Sequence, residues 1–412
     1  MSHLNYLEKL LEGVGTEWQA LGDLVTLRRG RVMSKGFLSE NTGIFPVYSS
    51  QTANDGMIGS IDTYDFDGEY ISWTTDGANA GTIFYRKGKF SITNVCGLMK
   101  IIDENLLNYK YLYYWLTTEA KKYVYSGMGN PKLMSHQVEK ISVPIPCPDN
   151  PEKSLAIQAE IVRILDSFTA MTAELTAELN LRKKQYNYYR DQLLSFEEGE
   201  VEWKTLGEIG TWYGGGTPSK NNSEFWENGT IPWVSPKDMG NPIVDSSEDY
   251  ITEDAIKNSS TKLVPPNSIA LVVRSSILDK KLPSALIPVP VTLNQDMKAV
   301  IPHNSILSSY IAHMISSRGN DILRTAKKTG GSVASIDSKK LFSFLIPIPN
   351  LDEQQRIVSI LDKFDTLANS IQEGLPREIE LRQKQYEYYR DLLLSFPASP
   401  AGEPKSHSDE AA

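Results

Sequence analysis

The chain has 412 residues, 40% of them hydrophobic and 23% charged, with a formal net charge of −9. That length exceeds one ordinary hydrophobic core, so two or three domains are expected. No apolar run approaches the roughly 18 residues needed to cross a bilayer, the start "MSHLNYLEKLLEGV" lacks a signal-peptide core, and Cys96 and Cys147 have no paired spacing; the expectation is a cytoplasmic protein.

Charge is unevenly spread. Residues 19–150 carry 13 basic and 13 acidic side chains and residues 201–349 carry 15 and 14, so the negative excess falls in 1–18, 151–200 and 350–412. Two near-neutral bodies thus alternate with acidic segments, and the overall acidity does not exclude nucleic-acid binding by the bodies.

In chain order, "YISWTTDGANAGTIFYRKGKFSITN" (70–94) reads as strands broken by turns, and "YKYLYYWLTTEAKKYVYSG" (109–127) as a helix. "ISVPIPCP" (141–148) is strand-like and proline-spaced. A long helix follows. Ile157, Ile161, Ile164, Phe168, Met171 and Leu175 alternate steps of four and three, which is a coiled-coil seam. The tandem "TAELTAEL" (172–179) inserts one extra step of four, a stutter that unwinds a supercoil without breaking the helix. The pattern resumes through Arg182, Tyr186, Tyr189, Leu193 and Phe196.

The second body repeats this order. "KLVPPNSIALVVR" (262–274) contains a strand, "SILSSYIAHMISSRGNDILRTAKK" (305–328) is a helix, and "FLIPIPN" (344–350) is a proline-spaced strand. Ile357, Ile360, Phe364, Leu367 and Ile371 carry a second seam, which Gly374 and Pro376 should interrupt or kink before Ile379. The plain alternative to a helix pair is two separate amphipathic surface helices.

An internal repeat underlies this order. "LRKKQYNYYRDQLLSF" (181–196) and "LRQKQYEYYRDLLLSF" (381–396) share 13 of 16 positions, and "IVRILDSF" (161–168) and "IVSILDKF" (357–364) share six of eight. "TEWQALGDLV" (16–25) returns as "VEWKTLGEIG" (201–210), and the N-terminal "YLEKLLEG" echoes "YYRDQLLSF". The unit reads as a variable domain followed by a long helix, repeated twice with pseudo-two-fold symmetry.

Catalytic signatures are missing. There is no phosphate-cradling Gly-Lys loop, no dinucleotide fingerprint and no nucleophile elbow. The five histidines lack metal-ligand spacing, and neither the Asn-Pro-Pro-aromatic tetrad of amino-methyltransferases nor an S-adenosylmethionine loop is present. What recurs is polar, glycine-bearing loop chemistry. The first body has "LRRGRVMSKG", "PVYSSQTANDG", "SWTTDGANAG" and "YSGMGNPKLMS". The second has "WYGGGTPSKNN", "IPWVSPKDM", "VVRSSILDKK" and "KKTGGSVASID". Amides, hydroxyls and basic side chains position a protein on phosphates, and Arg, Lys, Asn and Gln read base edges. Taken singly, each loop also fits an ordinary surface turn.

The doubled "QYxYYRDxLLSF", "EWxxLGEI", "GGGTPSK", "TLNQDMKAVIP" (292–302) and "GGSVASID" together resemble the specificity subunit of type I restriction–modification systems, of the class with tandem TAEL units in the central helix. The likeness spans residues 1 to about 398. It implies an α+β chain of two α/β target-recognition domains with pseudo-two-fold symmetry, separated by two long antiparallel helices forming a coiled coil.

The resemblance divides the chain as a helical segment at 1–15, a first recognition domain at 16–150, a central helix at 151–200, a second domain at 201–350, a C-terminal helix at 351–397 and a disordered tail at 398–412. Each domain would read one half of a bipartite, gapped duplex DNA target. The helices would dock two methyltransferase (modification) subunits and, through them, the restriction translocase. No catalytic residue, metal or cofactor belongs to this chain on that reading; S-adenosylmethionine, ATP and magnesium belong to the partners.

DNA-contacting candidates transfer where motifs match: Gly215, Thr217, Ser219, Lys220, Lys237, Arg274, Lys327, Lys328 and Ser332 in the second domain. In the first they are Lys35, Ser49, Gln51, Thr75, Asn79 and Lys132. The remaining alternatives are a stand-alone regulator of bipartite sites and a pseudo-symmetric scaffold with no DNA role.

Overall fold

A computed structural model describes residues 14–397 apart from 128, 198, 329, 331 and 370–372. The helical segment expected at the very N-terminus (1–13) and the tail at 398–412 lie outside the described residues. Contacts divide the chain into two compact units. The first holds residues up to Glu174 together with those from Glu380 onward, and the second holds Leu175–Ile379.

The first unit contains β1 (Thr16–Ala20), β2 (Val25–Arg29), α1 (Lys35–Glu40), β3 (Thr42–Tyr48), β4 (Met57–Ile61), β5 (Phe66–Thr74), β6 (Ile83–Ile92), β7 (Cys96–Ile101), α2 (Tyr109–Glu119), β8 (Ser142–Pro146) and the first part of α3 (Pro151–Leu193). Six strands form one sheet in the order β2-β7-β5-β6-β3-β4, antiparallel except where β3 meets β6. β1 and β8 pair separately. Two strand prolines, Pro144 and Pro146, sit in this short two-stranded pair, where a missing amide is tolerated. Helix α2 starts where the Asn108 side chain accepts the amides of Lys110 and Tyr111. It buries Tyr111, Leu112, Trp115 and Leu116 against the sheet residues Ile71, Trp73 and Met99. The Trp73 indole needs a glycine neighbour, because a Cβ on Gly97 would lie 2.1 Å from its ring.

The second unit contains β9 (Glu202–Thr205), β10 (Gly210–Gly214), β11 (Ile231–Val234), β12 (Tyr250–Ile251), β13 (Ser268–Val272), β14 (Ser284–Ile287), β15 (Thr292–Leu293), β16 (Met297–Pro302), α4 (Ser308–Ala326), β17 (Leu345–Ile348) and α5 (Leu351–Asn369). Its body is built differently, as a four-stranded sheet β10-β16-β13-β14 beside a three-stranded one, β12-β11-β15. β9 pairs with β17 as β1 does with β8.

α3 runs 43 residues without interruption through the tandem at 172–179, as a stutter allows. The second helical stretch does break: α5 ends at Asn369 and α6 (Leu375–Leu393) begins beyond Gly374. Gly374 has φ +81°, and a Cβ there would lie 2.5 Å from the Thr366 carbonyl oxygen. Only glycine turns the chain so tightly.

The attachment of helices to bodies repeats at matching atoms. The Tyr111 hydroxyl donates to the Pro144 carbonyl (2.8 Å) and the Tyr310 hydroxyl to that of Pro347 (2.9 Å). The buried Gln158 carboxamide accepts the Asn108 amide, and the buried Gln354 carboxamide accepts that of Leu307, both at 2.9 Å. The doubled segments, however, do not pack as the sequence order suggests. Leu393 and Leu394, with Tyr386, Tyr389 and Phe396, join the core of the first body. Leu194, with Tyr186, Leu193 and Phe196, joins the core of the second. The first copy therefore serves the second body and the second copy serves the first. The compact units cut across the linear division into domain and trailing helix because buried apolar area, not chain order, decides which pieces cohere.

Candidate nucleic-acid interface

In the second unit, strand register gathers the loops. Gly214 pairs with Lys298, Val272 with Met297 and Leu271 with Ser284, so four strand ends meet at one edge of the sheet. The loops that leave this edge are tied together by backbone hydrogen bonds. The amides of Gly215 and Gly216 donate to Met297 and Leu293, those of Val273 and Arg274 to Asp296, and that of Ser275 to Ala334. The Lys328 amide donates to Ser335 and the Ile336 amide to Val273. A Cβ on Gly215 would lie 1.8 Å from the Asn294 carbonyl oxygen, so no side chain fits there. The Thr217 hydroxyl is bonded to the Gln295 side chain. Gly215, Thr217, Arg274, Lys327 and Lys328 thus converge on one loop cluster, and Ser332 is an exposed residue of the loop between Lys328 and Ser335.

Ser219, Lys220 and Lys237 belong to its flank. The Trp226 indole donates to the Ser219 carbonyl (3.1 Å) and stands edge-on to Trp233 at 5.2 Å, whose own indole donates to the Gly216 carbonyl (2.9 Å). Lys220 and Asp249 line one small surface hollow.

Free cations are fewer than the sequence implies. Lys237 lies 2.7 Å from Glu248 and 3.0 Å from Asp249, and these partners, Glu248 foremost, hold its ammonium pKa well above the usual range. Lys327 lies 2.7 Å from Asp279. Arg274 is exposed and makes no ion pair among the described residues. It can therefore engage a phosphate or a guanine edge without first giving up a carboxylate.

In the first unit the amide of Thr75 donates to Val95, that of Leu133 to Thr75 and that of Gly77 to Pro131, while Tyr125 and Lys132 exchange backbone hydrogen bonds. The Asn79 carboxamide donates to the Ser50 carbonyl (3.0 Å), and the Thr93 hydroxyl donates to the Ser49 hydroxyl (2.9 Å). Ser49, Gln51, Thr75, Asn79 and Lys132 are brought together in this way. Lys35 is not tied into that cluster; it opens α1, whose N-cap is Ser34.

The Thr75 side chain is only 1% exposed, so it does not reach a ligand from where it stands. It accepts a hydrogen bond from the Arg29 guanidinium (3.3 Å). Arg29, exposed at the end of β2, is the group presented there. It was legible in "LRRGR", but nothing in that run separates it from Arg31, which is spent on Asp65 at 2.9 Å. Among the described residues no group of three or more His, Cys, Asp or Glu could hold a metal ion. No helix among them is long and apolar enough to cross a membrane.

Residues 15–182 and 198–381 each match the type I restriction modification DNA specificity domain. The chain belongs to that family. It is 63% identical over 408 residues to the EcoR124I/EcoR124II specificity subunit of Escherichia coli, covering 96% of this chain and 98% of that one. A putative type I restriction enzyme specificity subunit of Haemophilus influenzae is 32% identical over 406 residues, covering 95% and 98%.

The fold is shared with the crystal structure of a type I S subunit from M. genitalium, at TM-score 0.57 and 16% identity over 94% of this chain and 97% of that one. It is shared too with a chain from a structural study of type I complex assembly and conformational transition, at TM-score 0.60 and 13% identity over 92% and 97%. The specificity subunit is thus an α+β chain with two family domains and a long central helix.

Proposed function

We propose that this specificity subunit reads a bipartite, gapped duplex DNA target, the first unit contacting one half-site and the second unit the other. One observation carries the reading: the two units attach to their helices through matched contacts, Tyr111 with Pro144 and Tyr310 with Pro347, yet build different sheets above them. A constant mount with two different reading surfaces suits a protein that must engage the same partner twice and two unlike sequences once each.

The exposed apolar side chains of the doubled segment support the docking of two identical modification subunits. Leu181 and Tyr188 are 50% and 59% exposed, and Leu381 and Tyr388 are 40% and 55% exposed. Solvent-facing leucine and tyrosine repeated at equivalent positions mark an interaction surface. Methyl transfer with S-adenosylmethionine, and ATP- and magnesium-driven restriction, are assigned to the partners, with adenine as the methylated base. This chain's own part is to hold the duplex: Arg274, Arg29, Lys220 and Lys328 on phosphates or base edges, and backbone amides of the glycine loops on phosphates.

The test exchanges residues 16–150 for those of a relative and maps methylated positions in cells carrying the modification subunit. The reading predicts a target with one half replaced and the other kept. A target changed in both halves, or in neither, would contradict it.

A further inference from the structure

Among the described residues of the first unit Arg86 is the most buried cation, with 5% of its surface exposed, and no described carboxylate lies within ion-pair distance of it. Its guanidinium carbon lies 3.6 Å from the centroid of the Tyr48 ring and 4.5 Å from that of Phe84. Its Nε donates to the Ser72 hydroxyl (3.0 Å), itself 1% exposed, and its Nη2 donates to the backbone carbonyl of Asp55 (2.7 Å). Burying a charge costs stability, here offset by those hydrogen bonds and ring contacts, and burial depresses the guanidinium pKa.

What that position secures is a strained turn. Asn54, Asp55 and Gly56 follow one another in the left-handed region, at φ +52°, +51° and +80°. Two consecutive non-glycine residues there persist only when their surroundings over-determine them, and such strain gathers at functional sites. The surroundings are on view. The Ser49 amide closes the loop onto the Gly56 carbonyl (2.8 Å), Asn79 holds the Ser50 carbonyl, and Arg86 holds that of Asp55 from below. A Cβ on Gly56 would meet the Gln51 carbonyl at 3.0 Å and the Arg86 guanidinium at 3.3 Å. The turn thus presents Thr52, Asn54 and Asp55 on a fixed backbone, all exposed, together with the carbonyl oxygen of the exposed Gln51 carboxamide, whose Nε2 donates to the Met57 carbonyl (2.5 Å). Amide side chains held rigidly are the chemistry that reads adenine edges.

We infer that Arg86 is a specificity-determining positioning residue: by stacking on Tyr48 and Phe84 and holding the Asp55 carbonyl, it fixes the loop Ser49–Gly56 as the base-reading element for the first half-site. The inference rests on the bipartite reading above and deepens it. Arg86 touches no DNA itself. A loop held in one conformation discriminates between bases; the same loop freed pays its ordering on every sequence and discriminates less.

The experiment uses the full chain assembled with its modification subunits and measures methylation rates on duplexes altered in the first half-site, in the second half-site, or in neither. Arg86→Met keeps the stacking volume and removes both donors. It is expected to lower discrimination by about tenfold or more at one or two positions of the first half-site and leave the second half-site's discrimination unchanged. Arg86→Lys, with charge but a single donor group, should fall between.

Because Arg86→Met can unfold the first body, Asp55→Gly is the second variant. It frees the same turn without touching the core or the amide side chains of Gln51 and Asn54, and should relax the same positions. Equal loss in both half-sites, or unchanged discrimination with Asp55→Gly, overturns the inference. If the unaltered chain itself directs methylation to no two-part target, it is the bipartite reading that fails.

Discussion

The ring of Phe168 stacks on that of Tyr389 with centroids 5.2 Å apart and planes 23° from parallel. The counterpart in the second unit is Phe364 on Tyr189, at 5.8 Å and 27°. Phe168 and Phe364 are the same position of the repeated "ILDxF", and Tyr189 and Tyr389 the same position of "QYxYYRD". Each stack takes its phenylalanine from one copy and its tyrosine from the other, so the two repeats complete each other's helix packing.

Truncating either ring should cost each unit alike. Phe168→Ala and Phe364→Ala are each expected to destabilise by about 2 kcal/mol, since both rings are half-buried. A double-mutant cycle within each pair should return a coupling of about 1 kcal/mol. Denaturant unfolding followed by fluorescence checks both values.

The tyrosine clasps can be loosened without touching packing. Tyr111→Phe and Tyr310→Phe each leave a buried proline carbonyl without its donor, and a loss of about 1–2 kcal/mol is expected. Replacing Tyr188 or Tyr388, whose rings are largely exposed, should leave stability within about 0.5 kcal/mol and instead weaken assembly with the modification subunit. Calorimetry separates the two effects.

On DNA, Arg274 and Lys237 should behave differently. Arg274→Ala is expected to weaken binding and to reduce the slope of log affinity against log salt by about 1. Lys237→Ala should change that slope less, because Glu248 and Asp249 already neutralise the ammonium. Glu248→Gln with Asp249→Asn should raise affinity on any sequence, as read in salt titrations of the assembled complex.

The tandem at 172–179 offers a length test. Four helical residues add about 6 Å and about 400° of rotation, a net ~40°, while one base pair adds about 3.4 Å and roughly 35°. The rotation matches one base pair and the rise does not; on the rotational match, deleting Thr176–Leu179 is expected to shorten the target's gap by about one base pair with both half-sites kept. Methylation mapping of the deletion strain gives the answer, and an unchanged gap would contradict it.

Acid should loosen the loop that ends at Asp337. Its carboxylate accepts the amides of Lys340 and Lys339, which lowers its pKa in the folded chain. The contribution is therefore fully present above the unfolded carboxyl range and is lost as pH falls through the depressed folded value. Asp337→Asn keeps a capping acceptor without the charge. The stability difference between the two proteins should begin to shrink below about pH 4 and be gone once the pH lies below the depressed folded value, as thermal melts across that range would report.

Much of this architecture was legible in the residues. The doubled "QYxYYRDxLLSF", the heptad steps of α3 and the Gly374–Pro376 break all act locally, through side-chain periodicity and backbone sterics. The buried proline-spaced strands and the helices at 109–119 and 308–326 were legible for the same reason. What periodicity does not carry is which body a helix joins, and so Leu394 proved to belong with the first body and Leu194 with the second.

The loop candidates show the same divide. Gly215 was marked by its motif, and its backbone does need a glycine. Lys237 and Lys327 looked like free cations because their carboxylate partners are distant or unremarkable in sequence. Thr75 looked like a surface hydroxyl within a polar loop, whereas the sheet end buries it under Arg29. Arg86 lies in "FYRKGK", inside the stretch read as strands broken by turns; strand pairing decides which of its three cations points inside.

Two unlike reading surfaces on one repeated mount should select a two-part sequence. Methylome sequencing of a strain carrying this chain with its modification subunit is the decisive measurement. A single motif of two different short half-sites separated by a fixed, unread gap is expected. A contiguous motif, or methylation without any shared motif, would contradict it.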